Sequence, residues 1–468
     1  MQAASRGGAA ISGQTTRPTV ADIAKEVRLF ASLDQSAFTN RHAWLYIVIT
    51  LTHLTDGFDL LMIGVVLPGI VAAFKLTPPE AGFLASSVFL GMTVGAITIT
   101  YLGDLIGRKK ALLICVVLYG VLGLLAAAAW DYRTILTMRL LQGLGLGAEI
   151  PLVVTYLLEF VPMRRRGLLA ATTISLWQFA GLFAALAAIL IIPAFSWRGM
   201  FVLGAIPALV LAVILAYLPE SVRYLLHRNR VVEAEQIVRC FSSIDPDKVV
   251  VQAKATQAPA SVRLRDILRG KYLRYTLGAW IMSMSWAMAF FGMAVWLPSI
   301  LMHIGFTQVH SFTYTAAITG AGGTGVFLSG ISMDWLGRRA TMASCFIVGG
   351  LCMIGWGFST TPRSILLFGM VTAFTGIGGV AGCLFTYICE IYPTQFRATG
   401  AGLATAWQRI GGIIAPSILG LLIGAKGAVF GSFGLLGINL IIGGIAAVAL
   451  TYETRGKSLE RISTDLAS

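Results

Sequence analysis

Charged residues are scarce in this chain. Only 12% of its 468 residues are Asp, Glu, Lys or Arg, and 57% are hydrophobic, whereas about 25% of the residues in a soluble domain are charged. The 52 glycines fit the close packing of membrane helices better than a soluble core. This composition argues against a soluble enzyme and favours a protein embedded in a membrane.

Three further signals are missing. The six cysteines lack the spacing of a metal site or a disulfide framework. The stretch GLGLGAE (143–149) lacks the G-K-[ST] ending that binds phosphate, which argues against ATP-driven transport. Residues 1–41 lack the apolar core of a signal peptide and are typical of a mostly disordered tail. We therefore expect no metal and no cofactor.

Long apolar segments are abundant, and each is long enough to cross a bilayer as a helix. They cover residues 43–74, 81–102, 111–130, 134–160, 167–192, 197–218, 273–302, 311–332, 340–359, 363–389, 398–424 and 427–451. The sequence predicts an all-α membrane protein with twelve transmembrane helices.

The net charge of +14 is distributed unevenly. Basic residues cluster in alternate loops, at 108–110, 164–166, 219–270, 338–339 and 455–457. This is the positive-inside pattern, and it predicts a multi-pass protein of a bacterial-type inner (plasma) membrane with both termini in the cytoplasm. The pattern points to membrane lipid, and not nucleic acid, as the surroundings of the chain.

The chain also repeats itself. GDLIGRKK (103–110) returns as MDWLGRRA (333–340), EFVPMRRRG (159–167) returns as EIYPTQFRATG (390–400), and Trp177–Gln178 returns as Trp407–Gln408. One shared offset of about 230 residues predicts two six-helix halves. The predicted parts are a tail (1–42), an N-terminal bundle (43–218), a cytoplasmic linker (219–272), a C-terminal bundle (273–451) and a second tail (452–468).

The repeated motifs predict cytoplasmic gates. Their glycines permit a tight turn, and a carboxylate at a helix end is expected to hold the arginine of the next loop in one conformation and release it in the other. The alternative is that these charges only fix topology. The predicted gate residues are Gly103, Asp104, Gly107, Arg108, Glu159, Arg166, Asp334, Gly337, Arg338, Glu390 and Arg397.

The repeats and RLLQGLGLG (139–147) resemble the major facilitator superfamily, and DGFD (56–59) resembles its aromatic acid/proton symporters. GLGLGAEIP (143–151) and FFGMAVWLPS (290–299) are similar to bacterial nicotinate transporters, whereas PESVRYLL (219–226) is similar to sugar porters. The resemblance implies two bundles around a central cavity, alternating access, and an organic anion that moves inward with protons.

Four ionisable residues inside the spans are candidates for proton coupling. Asp56 and Asp59 share a helix face, and carboxylates within a membrane usually mark ion or substrate paths; the alternative is a structural pair. Glu149 precedes Pro151, which frees a backbone carbonyl. Arg139 has a coupling role by resemblance to the family motif, and a structural bridge to either aspartate is equally consistent.

Arg409 lies near the middle of the eleventh span, and its guanidinium offers a planar fork for a substrate carboxylate. The alternative is a salt bridge to Glu390 or Asp59. His53, one turn before Asp56, either extends a proton relay or is structural. Aromatic and amide side chains are expected to complete a pocket for a flat ring. The predicted substrate site comprises Phe58, Trp177, Gln178, Trp286, Phe290, Tyr314, Tyr387, Gln408 and Arg409.

These features predict a proton-coupled importer of a small aromatic or heteroaromatic carboxylate, with nicotinate as the leading candidate. We expect a monomer that is not an enzyme. A sugar or polyol porter is one alternative. A nutrient sensor with a transporter fold, which binds but does not cycle, is another.

Overall fold

A computed structural model describes residues 20–248, 268, 270–392, 394–423 and 428–457. Its N-terminal part contains α1 (Val20–Asp34), α2 (Asn40–Leu61), α3 (Ile63–Phe74), α4 (Pro78–Ile106), α5 (Arg108–Ala127), α6 (Tyr132–Phe160), α7 (Arg166–Trp177) and α8 (Ala180–Ala216). The linker contains α9 (Val222–His227) and α10 (Val231–Phe241). The C-terminal part contains α11 (Gly270–His303), α12 (Gln308–Leu336), α13 (Arg338–Gly357), α14 (Pro362–Thr372), a π-helical turn (Ala373–Gly379), α15 (Val380–Ile391), α16 (Thr394–Ile423) and α17 (Ala428–Leu450).

Eleven helical stretches among the described residues are long and apolar enough to cross a membrane. One of them, Met163–Ala216, has 54 residues and contains two predicted spans. Ser196 separates these spans with a non-helical backbone, at φ 61°. The prediction of an all-α protein with about twelve membrane helices is confirmed.

Each half packs through its own helices. In the N-terminal half α4 and α5 pack on α6, and in the C-terminal half α13 packs on α17 and α11 on α16. Glycine makes the α4–α6 contact possible, because a Cβ at Gly91 or Gly143 would overlap a backbone carbonyl of the facing helix. Such small-residue contacts are typical of membrane helices.

The two halves meet through α4 with α16, α3 with α11, and α8 with α12. Contacts are tightest on the side away from the basic loops, which we call the outer side. There a Cβ on Gly82 would lie 2.5 Å from the Pro416 carbonyl, and one on Gly64 would overlap the Ala294 carbonyl. Backbone therefore meets backbone at these points, and the outer side is closed.

Part of the segment that was expected to be disordered is a helix. Leu29 and Leu33 of α1 are buried, at 1% and 0% exposure, and α1 contacts α10 of the linker. The spacing of four residues places both leucines on one face, which explains why the helix docks. The disorder prediction is therefore wrong for Val20–Asp34, and residues 1–19 and 458–468 lie outside the described residues.

Candidate substrate and ion site

A small cavity of about 30 Å³ lies between the two halves. The N-terminal half contributes Leu61, Val65, Gln178 and Gly181, and the C-terminal half contributes Phe290, Met293, Ala294, Thr315, Thr319, Gly322, Gly323, Ala373 and Ile377. This volume has room for little more than water and is far below the roughly 300–1,000 Å³ of small-molecule sites, so the halves are nearly closed around the site in this conformation. Because both halves supply the walls, any movement between them changes the cavity.

Aromatic rings form one wall. Trp286 stacks on Phe290 with centroids 5.2 Å apart and planes 6° apart, and Trp177 lies 6.0 Å from Phe290. The Trp286 Nε1–H donates to the carbonyl of Ile377 at 2.9 Å. That carbonyl belongs to the π-helical turn, a geometry that is frequent at functional sites. The wall is therefore fixed by ring packing and by one backbone hydrogen bond.

The other residues of the predicted substrate site lie elsewhere in this conformation. Phe58 packs on Gly204 of α8, Tyr314 contacts Phe306, and the Tyr387 hydroxyl accepts from the backbone of Tyr452. Gln408 is buried, at 8% exposure. The structure places Gln178 and Phe290 on the cavity wall, with Trp177 and Trp286 against them.

Behind this wall lies a cluster of His53, Asp56 and Glu149, each at most 2% exposed. His53 Nδ1 and Glu149 Oε2 are 2.9 Å apart, and Trp177 Nε1–H donates to Asp56 Oδ2 at 3.0 Å. The other oxygens of the two carboxylates, Oδ1 and Oε1, have no partner among the described residues.

Sequence spacing did not reveal this cluster. One potential metal-ligand atom from each residue lies within 4.8 Å of the other two. The 2.9 Å contact between His53 and Glu149 is a hydrogen bond. It is shorter than the spacing of about 3.3 Å between ligands that sit about 2.0–2.1 Å from a tetrahedral zinc ion. The contact is therefore a hydrogen bond between His53 and Glu149, with Asp56 close to it.

Asp59 has a different environment. Its Oδ2 accepts from Arg139 Nη1 at 3.1 Å and its Oδ1 accepts from Gln142 Nε2 at 2.8 Å, while Arg139 also donates to Gln142 Oε1 at 2.9 Å. Both carboxylate oxygens are thus satisfied. The sequence left two roles open for Arg139, a coupling residue or a structural bridge. In this conformation Arg139 forms the bridge to Asp59.

Arg409 crosses from the C-terminal half into the N-terminal half. It donates to the Met92 carbonyl at 2.5 Å and to the Gly147 carbonyl at 2.7 Å. The suggested salt bridges to Glu390 and Asp59 are absent from the described residues, because those carboxylates pair with Arg338 and Arg139. Pro151 explains why the Gly147 carbonyl is available to Arg409. Proline lacks an N–H, so the carbonyl four residues earlier in the helix has no helical donor.

At the cytoplasmic end of the N-terminal half, Arg108 binds Glu159 at 2.5 Å and donates to Ser221 Oγ at 2.9 Å. Ser221 in turn donates to Glu159. Glu220 accepts from the backbone N–H of Lys109 at 3.0 Å. A carboxylate at the start of α5 complements the positive end of the helix dipole.

The C-terminal half repeats this arrangement. Arg338 binds Glu390 at 3.0 Å, Thr454 donates to Glu390 at 2.5 Å, and Glu453 accepts from the backbone of Arg338 at 2.9 Å and of Arg339 at 3.0 Å. Both clusters tie helices within one half. The gate role predicted for these residues stays a prediction.

One expected pairing is wrong. Arg166 does not bind Glu159, which pairs with Arg108; it binds Asp34 of α1 at 2.5 Å. The side chain of Arg397 lies outside the described residues. Asp104 and Asp334 are largely exposed, at 71% and 74%, and contact the arginine one turn later.

Sequence reasoning did not assign Glu220, Ser221, Glu453 and Thr454 to the clusters, and it left His53 undecided. A signal was present, because a carboxylate followed by a hydroxyl residue (Glu220–Ser221 and Glu453–Thr454) occurs after the last helix of each half. His53 and Asp56 are three apart and so share a face of α2.

Two six-helix halves around a central cavity define a secondary transporter, and the comparisons agree. A model of the Major Facilitator Superfamily matches residues 49–416, and the chain belongs to this superfamily. It is 32% identical over 426 residues to the niacin transporter NiaP of Acinetobacter baylyi, covering 90% of this chain and 96% of the relative.

A benzoate transport protein of the same species is 24% identical over 457 residues, with 94% and 96% of the two chains covered. Among solved structures, the xylose transporter XylE of E. coli in a partially occluded inward-open conformation gives a TM-score of 0.73 at 19% identity, over 90% of this chain and 100% of XylE. The predictions of the family, of a transporter and not an enzyme, and of an inner-membrane multi-pass protein are confirmed.

Proposed function

We propose that this protein imports a small aromatic or heteroaromatic carboxylate, with nicotinate as the leading candidate, together with protons. The observation that carries the proposal is the cavity between the halves, whose wall includes Phe290 with Trp286 stacked against it. Stacked or edge-on aromatic contacts contribute about 0.5–1.5 kcal/mol beyond area burial. A flat ring therefore gains from this wall.

The charge pattern supports an anionic substrate. Arg409 is a half-buried cation that bonds only to carbonyls among the described residues, and an anion that reached it would bind as a charge-assisted pair. Gln178 on the cavity wall offers an amide N–H for a carboxylate. The niacin and benzoate relatives, by their names, transport ring carboxylates.

The sugar-porter alternative has weaker support. XylE resembles this chain at 19% identity, which supports a shared fold and not a shared substrate. The cavity wall is largely apolar, with Gln178, Thr315 and Thr319 as its polar side chains, whereas a sugar needs many hydrogen-bonding side chains. We therefore keep the sugar and the sensor as outcomes of the experiment.

The test is uptake of labelled nicotinate into proteoliposomes with an acidic exterior. Excess unlabelled benzoate should compete, whereas nicotinamide and xylose should not, because they lack a carboxylate. Phe290→Ala should weaken nicotinate binding by about 2- to 10-fold beyond any effect on folding; Phe183→Ala, at a position 46% exposed, is the matched control. Competition by xylose would support a sugar porter, and binding without counterflow would support a sensor.

A further inference from the structure

The cluster of His53, Asp56 and Glu149 lies directly behind the aromatic wall, and its charges are poorly compensated. Asp56 forms no ion pair among the described residues, and the only partner of Glu149 there is His53. Two carboxylates within 4.8 Å of each other in a buried site cannot both stay ionised unless a proton or a cation compensates them, because neither is solvated and Asp56 is not paired among the described residues. A proton resolves the conflict.

Asp59, one turn away, lacks this need. Arg139 and Gln142 satisfy both of its oxygens, so protonation of Asp59 would first have to break a buried ion pair. The unpartnered Oδ1 of Asp56 and Oε1 of Glu149 are free to take a proton without losing any bond. The difference favours the cluster over Asp59 as the place where a proton binds in this conformation.

A physical link joins the cluster to the cavity. Trp177 donates its indole N–H to Asp56 Oδ2 at 3.0 Å, and its ring lies 6.0 Å from Phe290 on the cavity wall. Gly57 leaves room for this contact, because a Cβ there would lie 2.7 Å from Trp177 Nε1. A hydrogen bond to a carboxylate is about twice as strong as one to a neutral group, so the hold on Trp177 depends on the charge of Asp56.

We propose that His53, Asp56 and Glu149 form one binding site for the co-transported proton, and that Trp177 transmits its occupancy to the substrate cavity. This inference rests on the proposed symport. A proton on Asp56 removes the charge of that carboxylate and weakens the bond from Trp177 to Asp56. The indole is then free to adjust against Phe290 and a bound ring, so proton and substrate favour each other's binding, as linkage requires.

Other ionisable groups face this site and belong to its electrostatics. Cys115 and Tyr119 of α5 interact with Glu149 and Asp56, and Asp59 and Arg409 interact with Asp56. Arg139 reaches only Asp59 among the described carboxylates. Arg409 is thus the one described cation that acts on Asp56, and it does so without a salt bridge.

The test compares nicotinate affinity as a function of pH with accumulation driven by a pH gradient. If one proton is coupled, the affinity of the wild type for nicotinate should fall by about tenfold for each unit that the pH rises above the point at which the proton is released. Glu149→Gln should keep counterflow and lose gradient-driven accumulation. Trp177→Phe should bind nicotinate with an affinity that changes little with pH, because the bond that depends on the charge of Asp56 is gone.

Trp286→Phe is the matched control. It also removes an indole N–H, but the acceptor of Trp286 is the backbone carbonyl of Ile377, which does not titrate. We expect its affinity to drop by the same factor at every pH, with the wild-type slope retained. Thermal unfolding of each variant reports folding separately.

Two failures are distinguishable. If wild type accumulates nicotinate without any response to the pH gradient, the proposed symport is wrong and the inference falls with it. If wild type is coupled and both Glu149→Gln and Trp177→Phe keep the wild-type slope and accumulation, the symport stands and the proton binds elsewhere.

Discussion

Asp56 and Asp59 lie one turn apart on α2, yet their carboxylates have opposite environments. Asp59 is paired with Arg139 at 3.1 Å, whereas Asp56 accepts one hydrogen bond, from a neutral indole. Breaking a buried ion pair strands the remaining charge at a cost of about 3–5 kcal/mol. We therefore expect Asp59 to matter for stability and Asp56 for coupling.

Asp59→Asn and Arg139→Gln should each lower the thermal stability of the purified protein, because each strands its former partner. The double variant should lose less than the sum of the two, since neither charge is then left unpaired. Thermal unfolding in detergent measures this. If the losses of stability in the two single variants simply add in the double variant, the interaction between Asp59 and Arg139 contributes nothing to stability.

The sequence identified these charges but not their partners. A carboxylate inside an apolar run is visible in any sequence, and its cost predicts a special environment. Which of Asp56 and Asp59 meets Arg139 depends on the rotation of α2 against α6, which is set by glycine contacts between many helices. His53 remained ambiguous for the same reason, because Glu149, its partner, is 96 residues away.

Among the helices, α6 lacks one backbone hydrogen bond in its interior. Pro151 lies inside it and leaves the Gly147 carbonyl without a helical donor. Arg409 of α16 supplies the missing hydrogen bond at 2.7 Å. A defect in one half is thus filled by a cation of the other half, so the bond forms only when the halves are in this arrangement.

Pro151→Ala returns an N–H that competes for the Gly147 carbonyl. One hydrogen bond contributes about 0.5–1.5 kcal/mol, so the outer-closed state should lose about 2- to 10-fold in population. Alkylation of a single cysteine introduced at the outer ends of the helices measures this shift. Pro207→Ala, at an exposed position of α8, is the control, and equal labelling of both variants would contradict the role of Pro151.

The sequence predicts that the Gly147 carbonyl lacks a helical donor, because a proline inside a helix always removes the N–H that would bond to the carbonyl four residues earlier. Its partner does not follow, because Arg409 is 262 residues away and has no counterpart in the repeat, where Phe179 occupies the equivalent position. The repeat predicts what the two halves share. It is silent about contacts that only one half makes.

For the whole molecule, the contacts divide into two kinds. The cytoplasmic clusters around Arg108 and Arg338 join helices within one half. The outer contacts at Gly82 and Gly64 join one half to the other. The two clusters therefore hold each half together separately, whereas these outer contacts hold one half against the other.

Gly82 gives the sharpest test of this arrangement. A Cβ there would lie 2.5 Å from the Pro416 carbonyl and 3.2 Å from the Ser417 Cα, and backbone atoms cannot yield as a flexible side chain does. Overpacking of this kind costs about 1–3 kcal/mol. Gly82→Val should therefore disfavour the outer-closed state by about 5- to 150-fold.

Transport and binding should then separate in Gly82→Val. Nicotinate uptake should fall with the population of the outer-closed state, while binding from the outer side persists and an outer cysteine becomes more reactive. Gly330→Val is the control, because a Cβ at Gly330 meets nothing within 4 Å although the change in helix propensity is the same. If both variants transport equally, the halves do not need this contact to close, and the outer seal must come from residues other than Gly82.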